Sequence, residues 1–176
     1  ASNIPGLEVL KKADGAVIFT RFLALPPEQM KHLDEYLNRA GPVLGLRTST
    51  HGFNYKDDKD PYYKYHFRYS GKDYEAGFGH QVLGQSWVGH YGKNHTQSTR
   101  ISIIPKQKEN PILRGVKDVH VQAGGYNAEA QKDWNILTMA PPLMSMKADG
   151  APDKTKPPMA SEWTRQYKGK NGKKGR

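Results

Sequence analysis

Ala16-Val17-Ile18-Phe19, Leu25-Pro26-Pro27-Glu28, Pro42-Val43-Leu44-Gly45-Leu46 and Arg47-Thr48-Ser49-Thr50-His51-Gly52 are the segments of Gly15–Phe53 that decide the fold. The first is an apolar run of strand length. The second opens a helix in which Met30, Leu33 and Leu37 recur at i, i+3 and i+7, and Gly41 ends it. The third is another apolar run, and the fourth is a polar turn. Two parallel strands joined by a helix require this layout, because a tight turn cannot close a parallel pair. In such a sheet ligands lie beyond the carboxyl ends of the strands, where Arg47–His51 falls. The expected architecture is therefore α/β, with residues 16–19, 43–46 and 100–104 as near-parallel neighbours in one sheet.

Outward from this stretch the pattern changes. Pro5–Lys12 suits a short helix. Residues 52–78 form an irregular excursion, aromatic and charged, with Asp57-Asp58-Lys59-Asp60-Pro61 at its centre. Long excursions in compact domains are often functional. Phe78–Val88 reads as helical, Thr99–Ile104 as a strand stopped by Pro105, and Asn110-Pro111-Ile112-Leu113-Arg114-Gly115 as a turn into a short helix. Val119–Gln122 and Trp134–Met139 read as two more strands, and Pro141–Ser161 as a loop. The length of 176 residues suits one domain, here residues 1–164, followed by a basic, glycine-rich segment over 165–176.

Composition narrows the function. The net charge is +10, but the stretch from Lys147 to Arg176 holds nine Lys and Arg against three acidic residues. The excess is thus mostly terminal. It reads as a mobile, solvated end, which weakens the case for a nucleic-acid partner. No run approaches the length of a membrane span. The opening Ala1-Ser2-Asn3-Ile4-Pro5 carries no charged-then-apolar signal pattern. With no cysteine, disulfides, thiolate metal sites and cysteine nucleophiles are excluded.

Three groups of residues carry chemistry. At the turn after Leu46, Thr48, Ser49 and Thr50 offer hydroxyls without a Gly-x-Ser-x-Gly frame. Arg47 offers a fork for a carboxylate or for adjacent sugar hydroxyls. Local helix capping is the alternative use of these groups. His80, His90 and His95 lie close to Trp87 and Tyr91, and their spacings match no zinc pattern; no metal site is expected, and His90 is the first candidate for acid–base work. Tyr62-Tyr63-Lys64-Tyr65-His66-Phe67-Arg68-Tyr69 interleaves rings with charge. These rings either complete a core or stack against sugar faces.

Several segments together resemble the trehalose-utilisation (ThuA-like) family. They are Leu25–Leu37 with Gly41–His51, then Val82-Leu83-Gly84-Gln85-Ser86-Trp87-Val88-Gly89-His90, then Asn110–Gly115, then Glu162-Trp163-Thr164-Arg165 with Gly175-Arg176. The resemblance spans about residues 7–176. It implies a flavodoxin-like three-layer sandwich of the class I glutamine amidotransferase type, present as an internal fragment lacking a strand at each end. Glutaminases place a cysteine where Arg47 stands, and relatives of this family often place a histidine there. Amide transfer by a thiolate is therefore excluded. The implied role is in disaccharide or glycoside metabolism in a bacterium, in the cytoplasm or periplasm, with any signal peptide outside these residues. As an enzyme, His90 would be the acid or base and Arg47 the orienting group, with Thr48, Ser49, Trp87 and Tyr126 lining the pocket. A non-catalytic glycan- or protein-binding module, and a basic nucleic-acid-binding domain, are the alternatives. The resemblance names no cofactor.

Overall fold

The computed structural model describes residues 3–176. Ala1 and Ser2, part of the opening read above, lie outside the described residues. The architecture is mixed, with one α-helix among the described residues, several 3₁₀ turns and four small sheets. The strands are β1 (Ala16–Ile18), β2 (Val43–Gly45), β3 (His90–Tyr91), β4 (Thr99–Ile103), β5 (Val119–Val121), β6 (Gly125–Tyr126), β7 (Asn135–Ala140), β8 (Met159–Thr164), β9 (Tyr167–Lys168) and β10 (Lys174–Gly175). The helix is α1, Pro27–Asn38. The chain divides into two compact units. One holds the described residues up to Trp87 together with Arg165–Arg176, the other Val88–Thr164.

In the first unit β1 and β2 pair in parallel, Ala16 opposite Val43 and Ile18 opposite Gly45, with α1 as the connection. Pro27 starts α1, where its missing N–H and fixed φ cost nothing. Met30, Leu33, Tyr36 and Leu37 form the buried face. They pack with Ile18, Leu25, Phe53, Tyr55, Tyr65, Phe78 and Val82 in one core. The excursion is thus core material: Tyr55, Tyr65 and Phe67 are buried. Its tyrosines bring hydroxyls inside, and each must find a partner. Tyr65 donates to Asp34 Oδ1 at 2.6 Å, and Tyr36 donates to the Pro42 carbonyl.

Two expectations are corrected in this unit. Residues 165–176 are not a loose end. Tyr167 and Gly175 pair in the β9–β10 hairpin, Tyr167 is 3% exposed, and its hydroxyl donates to the Gly41 carbonyl. Burial raises that phenol to about 12. Val43 N–H donates to the Arg176 carbonyl at 2.6 Å. Phe78–Val88 is not a regular helix either: it contains one π-turn, Gly79–Leu83, closed by Gly84 at φ 98°.

The second unit is built on an antiparallel sheet ordered β5-β4-β7-β8, with β3–β6 as a separate antiparallel pair. Thr99–Ile103 is a strand as expected, but it pairs with β5 and β7, not beside β1 and β2. Its expected place in a parallel sheet is overturned. From β4 to β5 and from β4 to β7 the chain carries 3₁₀ turns and short strands but no α-helix, the usual crossover of a parallel pair. The reading of Pro141–Ser161 as a loop fails at its end, where Met159 begins β8. One core cluster here is Ala128, Trp134 and Ala160, with Ile136, Met139 and Trp163 against them, and Leu113, Leu137, Ala140 and Leu143 are buried as well. Trp134 and Trp163 stack face to face at 3.9 Å.

Candidate functional site

In the first unit β1 and β2 both leave the sheet at their carboxyl ends and rejoin farther on. The pairing ends with Leu46 N–H to the Ile18 carbonyl at 2.9 Å. It resumes in a single parallel bridge between Leu23 and Phe53. Between these points lie two polar excursions, Phe19–Phe22 and Arg47–Gly52. Each holds a residue other than glycine in the left-handed region: Phe22 at φ 52° and Arg47 at φ 42°. Such backbone costs on the order of 1–3 kcal/mol per residue and persists only where its surroundings impose it.

Those surroundings are visible. Ser49 is fully buried; its Oγ donates to the Ile18 carbonyl at 2.6 Å and accepts the Thr20 N–H at 3.3 Å. It braces the turn against the end of β1, so its hydroxyl is spent on the protein. Phe22 N–H and Leu23 N–H donate to the carbonyls of His51 and Gly52. Gly52 is needed because a Cβ there would strike Thr20 Oγ1. Thr50 Oγ1 donates to the Arg47 carbonyl at 3.2 Å and lies 3.3 Å from His51 Nδ1. Trp87 N–H donates to the Thr50 carbonyl at 3.3 Å. A Cβ on Gly79 would run into that same carbonyl.

The turn therefore carries a row of rings. His51, 3% exposed, lies between Phe22 at 4.8 Å and Trp87 at 5.0 Å, centroid to centroid. Phe22 is 5.4 Å from Phe67, and Phe67 is 5.1 Å from His66, which stacks on Tyr63. Ser86 Oγ fixes the Phe67 backbone by donating to its carbonyl at 2.6 Å. The His66 ring is pushed toward its neutral form, first by burial and then by Arg68 and Lys56. Its Nδ1 is buried without a hydrogen-bond partner. Arg47 is exposed at the head of the turn and Thr48 is half-buried. Of this row His51 and Phe67 are buried, Trp87 is half-buried and Phe22 is 37% exposed; with Arg47 exposed, the turn offers parts of two rings and a guanidinium, which suits a ligand with C–H faces and oxygen acceptors.

Of the residues expected at a site, Arg47, Thr48, Ser49 and Trp87 belong to this unit, and Trp87 joins the turn as described. His90 and Tyr126 belong to the second unit. They are directly opposite in the β3–β6 pair, and their rings meet edge to face at 5.4 Å. Sequence reading missed Phe22 and Arg21, although they follow β1 as Arg47 follows β2. It also left His51 unassigned within a turn it had singled out. Among the described residues no group of three or more His, Asp or Glu could hold a metal ion. No helix among them is long and apolar enough to cross a membrane.

Compared with protein-family models, with curated proteins and with solved structures, the chain matches none.

Proposed function

We propose that this chain is a ThuA-like protein of disaccharide or glycoside metabolism, and that its first unit binds a sugar at the strand ends. The observation that carries the reading is the pair of left-handed residues, Phe22 and Arg47, held at the carboxyl ends of two parallel strands beside the rings of His51 and Trp87. Sugar rings present C–H faces that pack on such rings, while guanidinium forks take their hydroxyls. The flavodoxin-like sandwich is proposed with it. Its support is the β1–α1–β2 unit and the open apolar face formed by Val17, Phe19, Leu44 and Leu46, 41–69% exposed. Parallel sheets are normally covered on both faces, so this face suits a second helical layer.

Binding rather than turnover is the primary reading, because the one wholly buried hydroxyl of the turn, that of Ser49, is committed to the backbone. Catalysis remains as a second reading on the His90–Tyr126 pair, with His90 as acid or base. Calorimetric titration of a disaccharide panel tests the first. Trp87→Ala should weaken binding at least tenfold, and an unchanged affinity would defeat the assignment. Turnover of any panel member that is lost in His90→Asn, with binding intact, would favour the second.

A further inference from the structure

We infer that the strand-end patch of the first unit selects an anionic sugar, one whose ring carries a carboxylate or a phosphate. This rests on the sugar-binding reading above and narrows it. Arg21 and Arg68 are exposed, and each guanidinium lies over the ring of its chain neighbour: Arg21 at 5.1 Å from Phe22, Arg68 at 5.0 Å from Phe67. Those two rings are 5.4 Å apart; Phe67 is buried and Phe22 is 37% exposed, so the two cations flank a pair of rings of which Phe22 reaches solvent. The sequence forms a mirrored pair, Arg21-Phe22 and Phe67-Arg68, brought together from opposite sides of the Leu23–Phe53 bridge.

Beyond these ring contacts, neither guanidinium has an acidic partner among the described residues. Lys31 pairs with Glu35, Lys64 with Asp34 and Arg100 with Asp118; Arg21 and Arg68 belong to none of these pairs. The charges that act on His66, beside Phe67, are those of Arg68 and Lys56, both positive. The patch thus combines the part-exposed ring of Phe22, the two forked cations and, beside the buried Phe67, the Nδ1 of His66 without a hydrogen-bond partner. A neutral sugar would use the rings alone. A carboxylate or phosphate on the sugar would also draw charge-assisted, bidentate hydrogen bonds, roughly twice as strong as neutral ones.

Titration of the full chain with three probes decides it: a glucuronate-terminated disaccharide, glucose 6-phosphate and neutral trehalose, each at low and high salt. At low salt at least one anionic probe should bind about tenfold or more tighter than trehalose, and added salt should shrink the ratio. The double variant Arg21→Gln, Arg68→Gln should bring the ratio toward one, whereas Arg21→Lys, Arg68→Lys should keep part of it. Far-UV circular dichroism confirms that both variants are folded. Equal affinities in the unaltered chain would overturn the anion preference while leaving sugar binding standing. Binding of none of the probes would overturn both. Tight, salt-sensitive binding of single-stranded DNA, without any sugar bound, would replace the proposal with a nucleic-acid role.

Discussion

The two units solve the same problem with different means. The first joins parallel strands through a helix and fills a core rich in aromatic residues, with Tyr36, Tyr55, Tyr65 and Tyr167 among its buried members. Beside Ser49, His51 and Ser86, it buries phenols, each turned to a carbonyl or to Asp34. The second joins antiparallel strands, buries mainly aliphatic residues with Trp134, and ties two of its buried polar groups, Gln97 and Asp153, in a hydrogen-bonded knot. There Asp153 accepts hydrogen bonds from Thr155 Oγ1, Thr155 N–H and Gln97 Nε2. A parallel pair ends both strands on the same side, so their following residues can build a site together. An antiparallel ladder offers no such shared end. Phe22 and Arg47, both left-handed, stand at that shared end.

If the first unit depends on its aromatic core, Phe53→Ala should show the largest effect. Phe53 is 1% exposed and meets Phe78 edge to face at 5.3 Å. Truncation should cost about 3–5 kcal/mol. Hydrogen exchange should show the loss in α1 and the residues around it, with the amides of β7 and β8 less affected; equal loss in both units would break the distinction drawn here.

Tyr65→Phe should come next. It removes the bond to Asp34 from a phenol whose ionisation burial already pushes well up. Asp34 keeps Lys64 at 3.0 Å and the Asn38 amide at 2.7 Å. A hydrogen bond to a charged group is worth about 1.5–3 kcal/mol, so denaturant unfolding should shift by that amount or less.

For the second unit the telling variable is pH. The hydrogen bond from Thr155 Oγ1, then that from Gln97, hold Asp153 down to about 2, against an ordinary 3.8. A depressed carboxylate favours folding fully above its ordinary value, and that contribution is lost as pH falls toward about 2. Acid should therefore loosen the Asp153 knot over that window. Asp153→Asn should flatten the dependence, as read by the chemical shifts of Gln97 and Thr155. An identical acid profile in the variant would remove Asp153 from the account.

The smallest effect expected runs in the other direction. Arg47→Gly relieves a left-handed backbone and should stabilise the first unit by at most about 1 kcal/mol, while weakening sugar binding. Stabilisation without loss of binding would mean that the strain at Arg47 serves only the fold.

Much of this was legible locally. The apolar runs around a helix of i, i+3, i+7 spacing led to the parallel β1–β2 pair, and Pro27 opens the helix; the helix ends at Asn38, earlier than Gly41, with Ala40 taking the left-handed position at φ 65°. Asn110 was read at the head of a short turn, and its side chain indeed accepts from Ile112 N–H. The turn at Arg47–His51 was placed at a strand end for the same reason. The strand at Thr99–Ile103 was visible by alternation, but its partners were not.

What the sequence alone determined is therefore the β1 and β2 runs with α1 and its buried face between them, the turn that follows β2, and strands near Thr99–Ile103, Val119–Val121 and Asn135–Ala140. Tertiary structure alone decided that β4 joins an antiparallel sheet, that the basic terminal segment folds back through Tyr167, and that Phe22, His51, Phe67 and Trp87 form one row of rings. The physical reason is that periodicity records how each residue meets the interior, over a few neighbours. Strand partners and convergent side chains depend on contacts between distant segments, such as Tyr167 with Gly41, which no local pattern encodes.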